Sequence, residues 1–101
     1  MSSNYNLFSQ DFKVGYLYGA LELMFDQGLS WREYIGKAVE IVHERGINLD
    51  LKILRNIAWI YSLYTNEVLH NGKVIVIAYD RYKELLGGIG IDEEGELEII
   101  E

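Results

Sequence analysis

The stretch from Asn71 to Ala78, which reads Asn-Gly-Lys-Val-Ile-Val-Ile-Ala, separates two kinds of pattern in this 101-residue chain. Asn-Gly is a strong turn signal, and the β-branched residues after it predict a strand over 73–78. The apolar run is not interrupted by polar residues, so we expect both faces of this strand to be buried. Helical spacing precedes the stretch, whereas turn residues and short apolar runs follow it.

The first helix is predicted to follow a loose polar arm over residues 1–8. Ser9 can cap its N-terminus and Gly28 closes it. The apolar residues that follow helical spacing in this segment are Phe12, Tyr16, Leu17, Ala20, Leu21, Met24 and Phe25. Gly15 and Gly19 each cost roughly 0.8–1 kcal/mol relative to Ala in a helix. We expect close approach of another helix to offset this cost, whether that helix belongs to the same chain or not.

Two more helices are predicted before the strand. Ser30 and Glu33 have the S-x-x-E spacing of a capping box, and Gly46 ends the helix that they begin. Asn48 can cap a third helix that runs to about Thr65. Apolar residues crowd nearly every side of this third helix, which is typical of a buried central helix or of a subunit interface.

The C-terminal part is predicted to be rich in β-structure. Asp80 can cap a short helix over 81–86, and a hairpin is expected to pair 89–91 with 97–100. The sequence therefore predicts an α+β fold, a three-helix core followed by a small β part made of a strand, a short helix and a hairpin. We expect a single domain over 1–101, with a helical part at 9–66 and a β-rich part at 72–101.

Composition excludes several classes of protein. The chain has no Cys, which rules out disulfides, thiolate nucleophiles and cysteine-ligated metals. No Gly-rich phosphate loop or Ser nucleophile motif is present, so we expect neither an enzyme nor a cofactor. No run approaches 18 apolar residues, and the N-terminus lacks the features of a signal peptide. These features predict a cytoplasmic protein, in a host cell if the protein is viral, with no membrane partner.

The net charge of −7 is concentrated at the C-terminus. Residues 92–101 carry six acidic residues and no basic one, which leaves the rest of the chain close to neutral. Non-specific binding of nucleic acid needs clustered Lys and Arg. The nine basic residues are scattered, so we expect no such binding. The acidic segment either meets a basic partner or keeps the protein in solution.

Aromatic residues make up 13% of the chain, and Tyr and Trp are enriched at protein interfaces. Five that are hard to bury together are candidates for a partner-facing surface: Tyr5, Phe8, Tyr18, Trp31 and Tyr61. Four carboxylates of the acidic segment complete the candidate partner site: Glu93, Glu94, Glu96 and Glu98.

Two alternatives come from other motifs. Glu40 and His43, with Glu67 and His70, form two Glu-x-x-His pairs, the spacing that ferritin-like bundles use to hold a pair of metal ions. The second and third predicted helices also have the short Gly-containing turn of a helix-turn-helix regulator of nucleic acid. Against this, the third helix becomes almost wholly apolar after its first turns.

These patterns favour a non-enzymatic module for protein–protein interaction or self-association. A small acidic protein of this kind would suit a viral or mobile-element accessory protein that binds a host protein. We also expect at least a homodimer, with the nearly all-apolar third helix near the interface. The metal-binding protein and the nucleic-acid regulator remain the alternatives.

Overall fold

Three helices precede a four-stranded antiparallel sheet, so the α+β class is confirmed. A computed structural model describes the backbone of residues 2–100 and the side chains of residues 11–100. The elements are α1 (Ser2–Asp26), α2 (Trp31–Arg45), α3 (Leu51–Tyr61), β1 (Tyr64–His70), β2 (Lys73–Tyr79), β3 (Leu85–Ile91) and β4 (Leu97–Ile100). The strands lie in the sheet in chain order, each antiparallel to the next.

The first helix is longer than predicted. It begins at Ser2, so its backbone includes most of the segment expected to be a loose arm, and Ser9 is not its cap. Extending a helix costs much less free energy than nucleating one. A favourable cap residue inside a helical segment therefore does not force the helix to begin there.

The cap predicted for α2 is confirmed, whereas that for α3 shifts. The Ser30 hydroxyl accepts from the Glu33 N–H at 3.2 Å, and the Glu33 carboxylate accepts from the Ser30 N–H at 3.1 Å. Gly46 closes α2 with φ +61°, a left-handed conformation that glycine adopts without steric cost. The N-cap of α3 is Asp50 rather than Asn48, and its carboxylate accepts from the Ile53 N–H at 2.9 Å.

The third helix ends at Tyr61, and the next seven-residue strand, β1, was not predicted. The β part therefore begins at Tyr64 rather than at residue 72. β1 and β2 form a hairpin whose two-residue turn is Asn71-Gly72, with φ of +51° and +77°. Positive φ at both turn residues suits the right-handed twist of the flanking strands.

The short helix predicted over 81–86 was wrong. Asp80 instead closes a loop, because its carboxylate accepts from the N–H groups of Tyr82 and Glu84 at 2.8 and 2.9 Å. Lys83 has φ +63°, which is incompatible with a right-handed helix. The chain enters β3 at Leu85, and the predicted pairing of 89–91 with 97–100 is present. It forms half of the sheet rather than a separate hairpin.

The helices lie on one face of the sheet. α1 contacts both α2 and α3, α3 covers β1, β2 and β3, and α2 contacts β4. The core joins Leu17 and Leu21 of α1 to buried residues of α2 and α3 and to Val76, Ala78 and Ile89 of the sheet. Because α3 is covered by α1 on one side and by the sheet on the other, its apolar surface is largely used inside the chain.

Candidate interaction surface

The most exposed apolar surface of α1 is a stripe along its solvent side. Phe12 is 74% exposed, Leu23 66% and Tyr16 45%, and Gly19 lies between Tyr16 and Leu23 in the sequence. We call Phe12, Tyr16, Gly19 and Leu23 the α1 stripe. Their spacing of four, three and four residues keeps them on one side of a helix. The stripe has no charged member, although the Arg45 guanidinium of α2 lies 4.0 Å from the centre of the Tyr16 ring.

The two glycines of α1 are open to solvent. An added Cβ at Gly15 or at Gly19 would meet no other described atom within 4 Å. The helix expected to approach them closely is therefore absent from the described part of this chain. Among the described residues, no packing contact offsets their cost to helix stability.

The opposite side of α1 is firmly packed, which fixes the orientation of the stripe. Leu17 and Leu21 are completely buried. The Tyr18 hydroxyl accepts a hydrogen bond from the Asn56 side-chain amide of α3 at 3.2 Å. Because these residues are buried, α1 is fixed in one rotation about its own axis. The stripe therefore faces outward in the folded chain.

Phe12 and Tyr16 share helical spacing with Leu17 and Leu21 in the sequence, but packing buries the two leucines and leaves Phe12 and Tyr16 exposed. The helix is apolar on both sides, so the pattern contains no polar face that marks the solvent side. Leu23, the third apolar member of the stripe, was not singled out at all. The two open glycines between these side chains were the signal that could have located the exposed face.

The aromatic residues chosen from the sequence do not form one surface. Trp31 is only 7% exposed, so it belongs to the core rather than to a partner-facing surface. Tyr61 is partly buried, and its hydroxyl donates to the Leu29 carbonyl at 2.5 Å. Tyr18 is also partly buried against α3. The side chains of Tyr5 and Phe8 lie outside the described residues.

Trp31 and Tyr61 instead belong to an aromatic cluster that joins the three helices. The Tyr61 ring lies 5.5 Å from that of Trp31, 4.8 Å from that of Tyr34 and 5.4 Å from that of Phe25. The buried Tyr34 hydroxyl donates to the Ile57 carbonyl at 2.5 Å. This cluster locks the C-terminal end of α1 against α2 and α3, so its role is structural.

A second group of exposed apolar side chains lies at the end of the molecule where α1 and α3 finish. Leu63, Tyr82 and Leu85 are 64–69% exposed, and Phe25 is 45% exposed. Phe25, Leu63 and Tyr82 line a shallow cavity of about 300 Å³. We call these four residues the end cluster. It has no helical periodicity and is bordered by Asp80 and Arg81.

The four glutamates chosen from the acidic segment differ in their surroundings. Glu96 pairs with His43 of α2 at 2.7 Å, and Glu98 lies 3.7 Å from Lys73 of β2. Glu93 and Glu94 are exposed in the turn between β3 and β4. Two of the four carboxylates proposed for a partner therefore have partners within the chain.

The metal-site alternative is not supported by the geometry. Glu40 pairs with Lys37 and His43 with Glu96, both on or beside α2. Glu67 lies on β1, where it accepts from Arg55 Nε at 2.6 Å, and His70 ends the same strand. The two Glu-x-x-His pairs are therefore not brought together. Among the described residues, no group of three or more possible ligands could hold a metal ion.

The helix-turn-helix alternative is also not favoured. A recognition helix must present one free face to the DNA groove. The corresponding helix here, α3, lies between α1 and the sheet, and its Arg55 is paired with Glu67 of β1. Asn56 of α3 is bound to Tyr18.

The groups with shifted pKa values have structural partners. Burial raises the pKa of Tyr34 and of Tyr61, and both hydroxyls donate to backbone carbonyls. Hydrogen bonds from Ser30 lower the pKa of Glu33, which belongs to the capping box of α2. One buried polar atom, Trp31 Nε1, has no hydrogen-bond partner in the described structure. It lies against Gly87, and both residues line a cavity of about 430 Å³ together with Ser30, Arg32 and Ile99.

Comparisons with known proteins found no match. No family model matches the chain, and neither curated proteins nor solved structures show a significant likeness to it. No described helix combines the length and hydrophobicity needed to cross a bilayer.

Proposed function

We propose that this protein is a non-enzymatic interaction module that binds another polypeptide chain through the α1 stripe. The observation that carries this proposal is the exposure of Phe12, Tyr16 and Leu23 on one side of a helix whose other side is locked in the core. Exposed apolar surface of this kind costs solubility, and contiguous patches of it mark interaction sites. The aromatic members suit an interface, where rigid rings give large contact area at low entropic cost.

The arrangement of the glycines supports the same proposal. Gly15 and Gly19 weaken α1 and allow close backbone approach, yet no described atom of the chain uses that space. A polypeptide lying along the stripe would use it. The shifted pKa values, by contrast, belong to groups whose hydrogen bonds hold helices together, and this favours a binding role over catalysis.

Site-specific photo-crosslinking in cells that express the full chain tests this function. A photoreactive phenylalanine analogue replaces Phe12 in one variant and Leu69 in the control. Leu69 is 75% exposed on β1, so the two probes are equally accessible but lie on different surfaces. We expect the probe at position 12 to form a discrete covalent adduct with a protein, this chain or another, and the probe at position 69 to form none.

Absence of a discrete adduct from position 12, with folding verified by circular dichroism, would contradict the proposal. The same pattern of adducts from both positions would also contradict it, because it would show non-specific contact of exposed apolar residues rather than a defined surface.

A further inference from the structure

We infer that the α1 stripe binds a second copy of this chain, and that the two α1 helices pack antiparallel. This inference rests on the proposed function and names the partner. The spacing of four, three and four residues from Phe12 to Leu23 is the alternating pattern of a helix–helix seam. A helix is therefore the occupant that fits the stripe, and α1 itself carries the matching pattern.

The charge of Asp26, just beyond the end of the stripe, favours the antiparallel orientation of the two α1 helices. Asp26 follows Leu23 by three residues, so it continues the same spacing, and it is exposed. Parallel packing would bring two Asp26 carboxylates together in an apolar seam, where like charges repel and desolvation is costly. Antiparallel packing separates them to opposite ends. It also places each helix C-terminus beside the N-terminal half of the other helix, which the helix dipoles favour.

Complementary side-chain sizes set the register. In an antiparallel pair centred between Tyr16 and Gly19, Phe12 lies opposite the partner's Leu23 and Tyr16 lies opposite the partner's Gly19. Tyr16 is 45% exposed although Arg45 lies over its ring, and this exposed part then fills the space that the missing Cβ of the partner's Gly19 leaves open. Each contact occurs twice because a two-fold axis relates the copies. The pairing gives the uncompensated glycine a physical role.

The extent of the seam sets the expected affinity. Phe12 to Leu23 covers 11 steps, or about 17 Å of helix at roughly 1.5 Å per residue. Because the seam is this short, we expect it to bury less surface than the ~800 Å² per partner of a standard interface. We therefore expect a reversible dimer with a dissociation constant on the order of 10–100 µM.

Sedimentation velocity across a concentration series tests the dimer. We expect the unmodified chain to shift from monomer to dimer over the micromolar range, and Leu23→Glu to weaken the dimer at least about tenfold. The matched control Leu69→Glu makes the same change at a more exposed site on β1 and is expected to leave the dimer within about twofold of the parent.

A substitution at Gly19 distinguishes an effect on dimer affinity from an effect on the stability of the fold. Gly19→Gln meets open space within the chain, and Gln is a better helix former than Gly, so the monomer should melt at a higher temperature. In the dimer, the new side chain occupies the space of the partner's Tyr16, so dimer affinity should fall at least about tenfold. Gly36→Ala on α2, also in open space, should raise the melting temperature without weakening the dimer.

Engineered cysteines test the orientation, since the natural chain has none. Phe12→Cys and Leu23→Cys variants are mixed and oxidised gently, and products are weighed by mass spectrometry. Antiparallel pairing predicts the mixed disulfide, because Cα atoms farther apart than about 7 Å cannot be bridged. Homodisulfides that outnumber the mixed product would overturn the antiparallel arrangement.

The two proposals fail in different ways. A chain that stays monomeric to about 500 µM, or a dimer that Leu23→Glu and Leu69→Glu weaken equally, overturns the second copy as occupant. In that case a discrete adduct between position 12 and a different protein would still support the proposed function. Loss of that adduct as well would overturn both.

Discussion

Two glycine-containing segments of this chain look alike in the sequence but have opposite surroundings. Gly15 and Gly19 of α1 face open space, whereas Gly87, Gly88 and Gly90 of β3 are crowded. A Cβ at Gly87 would lie 2.4 Å from Trp31 Nε1, and one at Gly88 would lie 3.4 Å from Ile75 and from Ile100. The fold itself thus requires glycine at position 87, and at positions 88 and 90 it leaves room for little more than a methyl group. In α1, the described residues leave the space beside Gly15 and Gly19 open.

The β3 glycines also explain how one face of the sheet is covered without a helix. Val76 points toward the helices and belongs to the core, so its neighbour Ile75 points to the other face. Ile75 is nevertheless only 4% exposed, because it lies over the bare backbone of Gly88 and Gly90. The small residues of β3 leave room for Ile75 to be buried on the face of the sheet that carries no helix.

The largest effect that would test this comparison is expected at Gly87. Its φ of +155° is rarely adopted by residues with a side chain, and the added methyl would collide with the Trp31 ring. We expect Gly87→Ala to lower the free energy of unfolding by roughly 3 kcal/mol or more, measured by urea denaturation. A loss below about 1 kcal/mol would show that this end of β3 is loosely packed.

The Trp31→Leu background separates the two causes of that effect. If the collision with Trp31 dominates, Gly87→Ala should cost at least about 1 kcal/mol less when the indole is absent. An unchanged cost would assign the effect to backbone conformation alone.

An intermediate effect is expected at Gly90. A Cβ there would lie 3.4 Å from Ile75, which a single methyl tolerates but a branched side chain does not. We expect Gly90→Val to destabilise the fold by about 1–3 kcal/mol in thermal or urea unfolding. Gly90→Ala serves as the control and should change stability much less. Equal stability of the two variants would mean that Ile75 does not rest on this glycine.

A smaller effect of opposite sign is expected at Gly19. Gly19→Ala adds a methyl in open space and removes a poor helix former, so it should stabilise the isolated chain by roughly 0.5–1 kcal/mol. Measurement at sub-micromolar concentration avoids the contribution of self-association. If Gly19→Ala instead destabilises the chain, the surroundings of Gly19 are not open, and the contrast with the glycines of β3 is wrong.

The smallest effect is expected for a substitution that introduces a glycine, at Lys83, instead of removing one. The loops that begin at Asp80 and Asp92 share the same hydrogen bonds from carboxylate to backbone, but the residue with positive φ is Lys83 in one and Gly95 in the other. The strain at Lys83 and the entropy cost of glycine partly cancel, so Lys83→Gly should stabilise by only about 0.5 kcal/mol. Lys83→Ala keeps the strain and should give no gain in melting temperature.

Local signals in the sequence located the parts of the fold that depend on neighbouring residues. The capping box at Ser30 and Glu33, the helix stop at Gly46 and the pairing of 89–91 with 97–100 all follow from short-range hydrogen bonding and turn geometry. Asn71-Gly72 also marked the turn before β2. The preceding strand β1 was missed, because the apolar residues of α3 run on past Tyr61 and the strand Tyr-Thr-Asn-Glu-Val-Leu-His has no clear alternation.

Tertiary structure alone decided which surfaces face solvent. α1 is apolar on both sides, so only packing of Leu17 and Leu21 against α2 and α3 turned Phe12, Tyr16 and Leu23 outward. The same packing drew Trp31 into the core and covered α3, the helix expected at an interface. Periodicity records that a residue is apolar, but burial depends on which neighbours reach it across the fold. The sequence thus determined the α+β class and the capping box of α2, and long-range contacts determined the candidate interaction surface.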